Sequence, residues 1–292
     1  MMLLKMYTAM ITPYDADLQV DYDKAGEMAD YLVSNDSDGI IVSGTTGESP
    51  VLSSTEKVNL FATVKDRVGD RCEIWAGTGS YDTQATISLS CAAEKAGVDG
   101  LLVVVPYYNK PSQEGLYQHF RAIAESVSIP IMLYNIPGRT GVNMLPETVA
   151  RLAEIVNITS LKESSGSMDQ MSNLKGLVPE NFAIYSGDDS LTLPMLALGG
   201  AGVVSIASHL VGKEIKQMLE AFGSGDARLA QKIHNYLFPL FKGLFITTNP
   251  VPVKEALNIL GKNVGGLRPP MCAANEDEII QLRQLLANYN LV

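Results

Sequence analysis

Histidine and cysteine are scarce, with three of each in 292 residues. His119, His209 and His234 stand apart, with no HxxxH or HExxH spacing, so the sequence offers no metal-ligand set and no metal is expected. Cys72, Cys91 and Cys272 form neither a close pair nor a metal-binding spacing, and an odd count points to a reducing compartment. Aromatic residues total 7% and do not alternate with basic runs. The formal net charge of -10 repels nucleic acid and anionic lipid, which excludes both as default partners. It leaves room for an anionic substrate held by a local cation. The apolar start, residues 1–11, carries one lysine and is too short for a bilayer span or a secretory signal, so it reads as a first strand. The expectation is a soluble, cytoplasmic protein. No GxGxxG, Walker or GxSxG pattern occurs, so neither dinucleotide binding nor serine-hydrolase chemistry has support, and no cofactor is expected.

What is present is a regular alternation. Short β-branched runs lie at Tyr7–Ile11, Gly39–Ser43, Glu73–Gly77, Gly100–Val105, Ile131–Asn135, Ile158–Lys162, Ala183–Gly187 and Gly202–Ile206. Runs as apolar as Leu101-Leu102-Val103-Val104-Val105 suit parallel strands buried on both faces. Amphipathic stretches separate them. One spans 55–68 behind the capping-box signature Ser53-Ser54-Thr55-Glu56, and another spans 83–96 before Gly97. Eight such units fill about 210–225 residues, which predicts a (β/α)8 TIM barrel. A doubly wound open sheet is the alternative, and it lacks its phosphate loop here. From about Leu210 the chain shows only helical patterns with Pro and Gly breaks, including Asn249-Pro250-Val251-Pro252, where Pro252 suits a helix N1 position. The expected division is a catalytic barrel over 1–224 and a C-terminal α-helical extension over 225–292.

Lys162 ends the apolar run from Ile155 to Leu161, and a lysine at the buried end of a strand needs a reason. Burial of an amine favours its neutral, nucleophilic form. A free lysine is only about 0.1% neutral near pH 7.4, and lowering its pKa by roughly three units, at a cost of about 4 kcal/mol, makes a useful fraction reactive. Active sites of such barrels lie at the C-terminal ends of the strands. There the sequence places Gly44-Thr45-Thr46-Gly47-Glu48, a carboxylate cradle or a plain βα turn. It also places Tyr107-Tyr108 in a Pro-bounded loop, read alone as surface packing, and Tyr134 followed by Arg139 in a Pro-Gly turn. Arginine there is either solvated or a bidentate carboxylate partner. Asp188 and Asp189 read as a helix cap and first-turn charge. Lysine, tyrosines, threonines and arginine without a metal suit amine catalysis, in which an iminium acidifies a neighbouring C–H and hydroxyls move the protons.

These motifs carry a resemblance over essentially the whole chain. Gly44-Thr45-Thr46-Gly47-Glu48-Ser49, Pro106-Tyr107-Tyr108-Asn109-Lys110-Pro111-Ser112-Gln113-Glu114-Gly115, Tyr134-Asn135-Ile136-Pro137-Gly138-Arg139-Thr140-Gly141 and Leu161-Lys162-Glu163 resemble the class I pyruvate aldolases, the superfamily of dihydrodipicolinate synthase and N-acetylneuraminate lyase. The stretch is most similar to the dihydrodipicolinate synthases, which join pyruvate to aspartate 4-semialdehyde on the route to diaminopimelate and lysine. The resemblance implies that Lys162 is the Schiff-base lysine, Tyr134 the proton donor and acceptor, and Thr45 and Tyr108 its relay partners. It implies that Tyr108 reaches the site of a neighbouring subunit, in a homo-oligomer that is a dimer at least and commonly a tetramer. It places Thr46 near the pyruvate carboxylate, Gly187 and Val204 along the pocket, and Arg139 on the semialdehyde carboxylate. Sialate lyases resemble this stretch but lack that arginine, so Arg139 weighs against the rival reading, a keto-sugar-acid lyase.

Two departures stand out. Ser54, Lys57, Tyr81 and Ala85 occupy places where lysine-inhibited members carry histidine, asparagine and glutamate. An added cation and a missing carboxylate oppose a cationic ligand, so weak or absent lysine inhibition is expected. Glu163-Ser164-Ser165-Gly166 replaces the commoner Glu-Ala-Thr-Gly or Glu-Ala-Ser-Gly without touching the catalytic set. A silent relative that merely binds a 2-keto acid would not need Thr45, Tyr108, Tyr134 and Lys162 together. A purely structural barrel would not need them all at strand ends.

Overall fold

Apolar strands need cover on both faces, and a barrel wrapped in helices supplies it. The computed structural model describes residues 4–292. Its eight strands are β1 (Lys5–Ala9), β2 (Gly39–Val42), β3 (Glu73–Gly77), β4 (Gly100–Val104), β5 (Ile131–Asn135), β6 (Ile158–Glu163), β7 (Ala183–Ser186) and β8 (Gly202–Ser205). They are all parallel and close in sequence order, with β1 pairing β8 through Tyr7 opposite Val204. Helices α1 (Tyr22–Ser34), α2 (Ser54–Val68), α3 (Thr83–Lys95), α4 (Gln113–Ala124), α5 (Pro137–Thr140), α6 (Pro146–Leu152), α7 (Met168–Leu177), α8 (Thr192–Ala197) and α9 (Ser208–Gly223) accompany the strands. Helices α10 (Ala227–Gly243), α11 (Val251–Ile259) and α12 (Glu276–Ala287) follow. The chain is a (β/α)8 TIM barrel with a C-terminal helical part.

The two phases of each strand make two cores. Tyr7, Ile41, Trp75, Leu102, Met132 and Tyr185 fill the interior. Met6, Ile40, Ile74, Leu101, Ile131 and Leu133 meet the helix layer. Near the N-terminal ends of the strands, Trp75 donates its indole N–H to Glu73 at 2.9 Å and packs edge-on against Tyr7 at 5.8 Å between ring centres. At the other end, Gly77 lets β3 pass the β2 turn, because a Cβ there would lie 2.2 Å from the Ser43 carbonyl oxygen.

The capping box at α2 forms as expected, with Ser53 and Glu56 exchanging bonds. Gly97 follows α3 with φ +81. Pro252 falls one residue later than expected, at the second position of α11, where a backbone N–H still lacks an intrahelical acceptor. The first strand ends at Ala9 rather than Ile11, because the Ile11 N–H donates to His209 Nε2 at 3.2 Å instead of to a strand. The part of that expected strand at residues 1–3 lies outside the described residues. The aspartates take their expected places at the short turn Asp189–Leu191, Asp188 as its cap and Asp189 in its first turn, but Asp189 does more. Asp188 caps the turn by accepting from the Ser190 N–H at 2.9 Å. Asp189, however, is buried and accepts from Ser205 Oγ at 2.5 Å and from the Ile206 and Ala207 N–H groups at 3.0 Å, tying β7 to the end of β8.

His209 closes the seam. Its Nε2 accepts from Ile11, so its Nδ1 carries the proton and donates to the Ile206 carbonyl at 2.8 Å. Protonation would turn the accepting nitrogen into a second donor facing an N–H. Burial accordingly holds His209 down to about 4, from an ordinary 6.5, and it does the same to His119 on α4. The unfolded chain therefore takes protons below pH 6.5 that the folded chain refuses until about pH 4. We expect stability to be complete above pH 6.5 and to fall by about 3 kcal/mol through His209 as pH drops to 4. Urea unfolding at fixed protein concentration across that range checks it. His209→Gln should lower stability at pH 7 and flatten the acid loss.

Candidate active site

The β5–β6 register sets the centre of the site. Tyr134 pairs with Lys162, and Lys162 pairs in turn with Tyr185 on β7. All three share the interior phase. Lys162 is 5% exposed and Tyr134 4%, and the lysine Nζ stands 4.2 Å from the centre of the Tyr134 ring. Among the described residues, the Lys162 amine, the Tyr134 hydroxyl and the Thr45 hydroxyl make no hydrogen bond to protein. Lys162 and Tyr134 are buried residues and Thr45 is half-buried, and none of the three polar atoms is sealed from solvent, so all three are free to meet a ligand.

The next residue pair locks this register from the outside of the barrel. Asn135 lies opposite Glu163, and its Nδ2 donates to Glu163 Oε2 at 3.1 Å. Gln170 Nε2 at 3.2 Å and the Ser165 N–H at 2.5 Å also donate to that carboxylate. Neutral amide groups thus satisfy a buried carboxyl group beside Lys162. Reading of the sequence missed this clamp, although the adjacency of Asn135 to Tyr134 and of Glu163 to Lys162 was visible.

A cavity of about 210 Å³ opens beside Tyr134, lined among others by Ser43, Gly44, Thr45, Tyr107, Tyr134 and Arg139. Lys162 meets it through the Tyr134 ring rather than lining it. Arg139 sits on the one-turn helix α5 rather than in an irregular turn, with Pro137 leading and Gly141 (φ +72) closing it. Its guanidinium donates to the Asn249 carbonyl at 3.3 Å and is otherwise open. Thr46 is buried and turned toward the C-terminal part, where its Oγ1 accepts from Asn249 Nδ2 at 3.1 Å. Asn249, in the Asn-Pro-Val-Pro break, therefore touches both Arg139 and Thr46. The sequence marked that segment only as a helix boundary. Ser43 was also missed; it holds a φ of +57, and its buried hydroxyl has no partner.

Gly187, at the end of β7, packs on the lysine stem. A Cβ there would lie 2.9 Å from Lys162 Cε and 1.9 Å from Ser164 Oγ. Val204 is buried in the interior cluster with Tyr134 and does not reach the cavity. Tyr108 stands apart from the others, 90% exposed with φ +72, while its neighbour Tyr107 lines the cavity. The Tyr108 loop is braced by Asn109, whose Nδ2 donates to the Tyr81 carbonyl at 2.9 Å, and by Tyr81 packed edge-on against Tyr107 at 5.4 Å.

A lysine amine over a tyrosine ring at the C-terminal mouth of a (β/α)8 barrel suits the chemistry of a class I aldolase, a lyase. Comparison with known proteins narrows the class. The model of the Dihydrodipicolinate synthetase family matches residues 2–289. A protein of Heliobacterium modesticaldum named 4-hydroxy-tetrahydrodipicolinate synthase is 59% identical over 98% of this chain and 96% of its own length. One of the same name from Desulforudis audaxviator is 58% identical over 99% of this chain and 98% of its own. The crystal structure of the dihydrodipicolinate synthase of Cyanidioschyzon merolae with lysine bound superposes with a TM-score of 0.98, at 46% identity, over 100% of this chain and 99% of that one. The chain belongs to the dihydrodipicolinate synthetase family.

Gly187→Ala tests how tightly the lysine stem is held. The added methyl group must displace Ser164 or the Lys162 chain, and misplacing a reacting atom by about 1 Å costs on the order of 100-fold in rate. We expect a loss of that size in the rate at which borohydride traps a keto acid on Lys162, with the fold retained by circular dichroism.

Proposed function

We propose that this chain condenses pyruvate with L-aspartate 4-semialdehyde to give 4-hydroxy-tetrahydrodipicolinate, in the biosynthesis of diaminopimelate and lysine. The observation that carries the reading is the buried, uncommitted Lys162 amine, 4.2 Å from the ring of Tyr134 in the adjoining strand. Full-length identities of 59% and 58% to proteins bearing that enzyme's name support it. In this scheme the Lys162 amine attacks C2 of pyruvate. The oxygen leaves as water, with protons passed through the Tyr134 and Thr45 hydroxyls. The iminium draws electrons from C3, which loses a proton to give an enamine. The enamine carbon then attacks the aldehyde. The substrate amino group displaces Lys162 from C2, closing the ring and freeing the enzyme. Thr46 and its turn hold the pyruvate carboxylate, Gly187 leaves room for the Lys162 stem, Val204 packs in the interior layer with Tyr134, and Arg139 at the open side takes the semialdehyde carboxylate.

The proposal includes a homo-oligomer, a dimer of dimers, in which Tyr108 completes the relay in a neighbouring subunit. Its exposure and its strained backbone fit a residue whose function lies outside its own chain. No described helix is long and apolar enough to cross a membrane, and we propose a cytoplasmic setting.

Borohydride reduction with pyruvate, followed by peptide mass mapping, tests the scheme. The adduct should fall on the peptide that contains Lys162. Lys162→Arg keeps the charge but not the nucleophile, so it should take up no adduct and show only background condensation. Full turnover by that variant would end the imine scheme.

Lysine inhibition should be weak. Tyr81 is exposed, Ser54 and Ala85 carry no charge, and Lys57 is a partly buried cation whose pKa burial lowers. This is a poor setting for a second ammonium group, in contrast to the lysine-bound Cyanidioschyzon merolae protein. Millimolar lysine should leave the initial rate largely intact in a coupled assay, and strong partial inhibition would refute the expectation.

A further inference from the structure

A buried ion pair lies directly under the threonine turn. Glu48 and Lys254, 206 positions apart in the chain, meet at 2.8 Å with side chains 2% and 1% exposed. Lys254 Nζ also donates to the Thr12 carbonyl at 2.8 Å and stands 4.2 Å from the centre of the Tyr14 ring. The second Glu48 oxygen accepts from the Arg268 N–H at 3.0 Å. Arg268 is itself fixed to Glu56 at 2.6 Å and to the Leu18 and Val51 carbonyls. Desolvating two charges is expensive, and as a source of stability such a pair is replaceable by apolar side chains. A positional role accounts for it better.

The backbone of Glu48 supplies that role. Its φ is +56, a conformation that costs a residue with a side chain and persists only when its surroundings enforce it. The Glu48 N–H donates to the Thr45 carbonyl at 3.1 Å, and Thr12 Oγ1 donates to the Gly47 carbonyl at 2.7 Å. The strained residue thus closes the turn that presents Thr45 to the cavity and Thr46 to Asn249. Lys254 and Arg268, both from residues 225–292, grip its side chain. We propose that Glu48 and Lys254 are positioning residues, through which the C-terminal helices hold the Thr45 hydroxyl in line for proton transfer. This rests on the imine reading above and adds residues that touch no substrate.

Glu48→Gln combined with Lys254→Met removes both charges together, so neither is left buried alone. Four quantities are measured beside wild type: the end-point extent of borohydride trapping of pyruvate, the rate of exchange of the pyruvate C3 hydrogens in D2O by NMR, and kcat and KM for condensation. End-point trapping reports only that the Lys162 amine still captures pyruvate, because a slowed relay still lets the imine reach equilibrium before reduction, whereas the rate of C3 exchange follows the proton relay itself. The expected result is trapping and pyruvate KM within about twofold of wild type, with C3 exchange and kcat both down by about tenfold or more. A purely structural pair would lower the thermal midpoint and leave the ratio of exchange to trapping unchanged, and that outcome overturns the proposal. Should the double variant not fold, Glu48→Asp decides. It keeps the charge and shortens the reach by one methylene, so exchange should fall while trapping holds, and unchanged exchange overturns the proposal. If wild type itself traps no pyruvate, the imine reading fails, a result distinct from either of these.

Discussion

The pairing of Tyr134 with Lys162 across β5 and β6 is the constraint on which the rest depends. Strand side chains alternate, so a slip of one residue would turn the lysine out toward the helices and bring Glu163 inside. Several features oppose that slip at once. The Asn135–Glu163 clamp fixes the next pair, barrel closure fixes both strands within the ring, and the missing side chain at Gly187 leaves a slot that the lysine stem and Ser164 fill. The chemistry of the centre is thus inherited from register, and register is secured by residues that face away from the chemistry.

The mouth of the barrel is assembled from distant parts of the chain. Asp189 ties β7 to the end of β8, and His209 ties that end to β1. Asn249 joins the Thr46 turn to Arg139. Glu48 receives Lys254 and Arg268 from the last third of the sequence. Buried polar groups each take specific partners here, so the rim is a set of mutually fixed positions rather than a ring of independent loops. The C-terminal helices contribute to this rim as much as several of the barrel's own loops do.

The sequence made the barrel legible because parallel strands advertise themselves as apolar runs and helices as capped amphipathic ones. Lys162 was legible for the same reason, as one cation closing an apolar run. Lys254 carries a similar signal, a lysine after Val251-Pro252-Val253, yet it passed unread because its partner Glu48 lies in a turn that looked complete without it. In the sequence Asp189 reads only as a first-turn charge, because local spacing cannot reveal that the same carboxylate also bonds to the next strand. Asn249 and the Asn135–Glu163 clamp share that property. Their roles depend on contacts across the barrel that no local pattern encodes.

Trp75 is the chain's one tryptophan, and its position separates two signals that are usually mixed. It lies inside the barrel against Tyr7 and Glu73, 6% exposed, and is not among the residues lining the cavity beside Tyr134. Its emission therefore monitors whether the floor of the barrel is intact while events at the rim proceed out of its view. The molecule carries its own optical gauge of folding, largely blind to occupancy of the mouth.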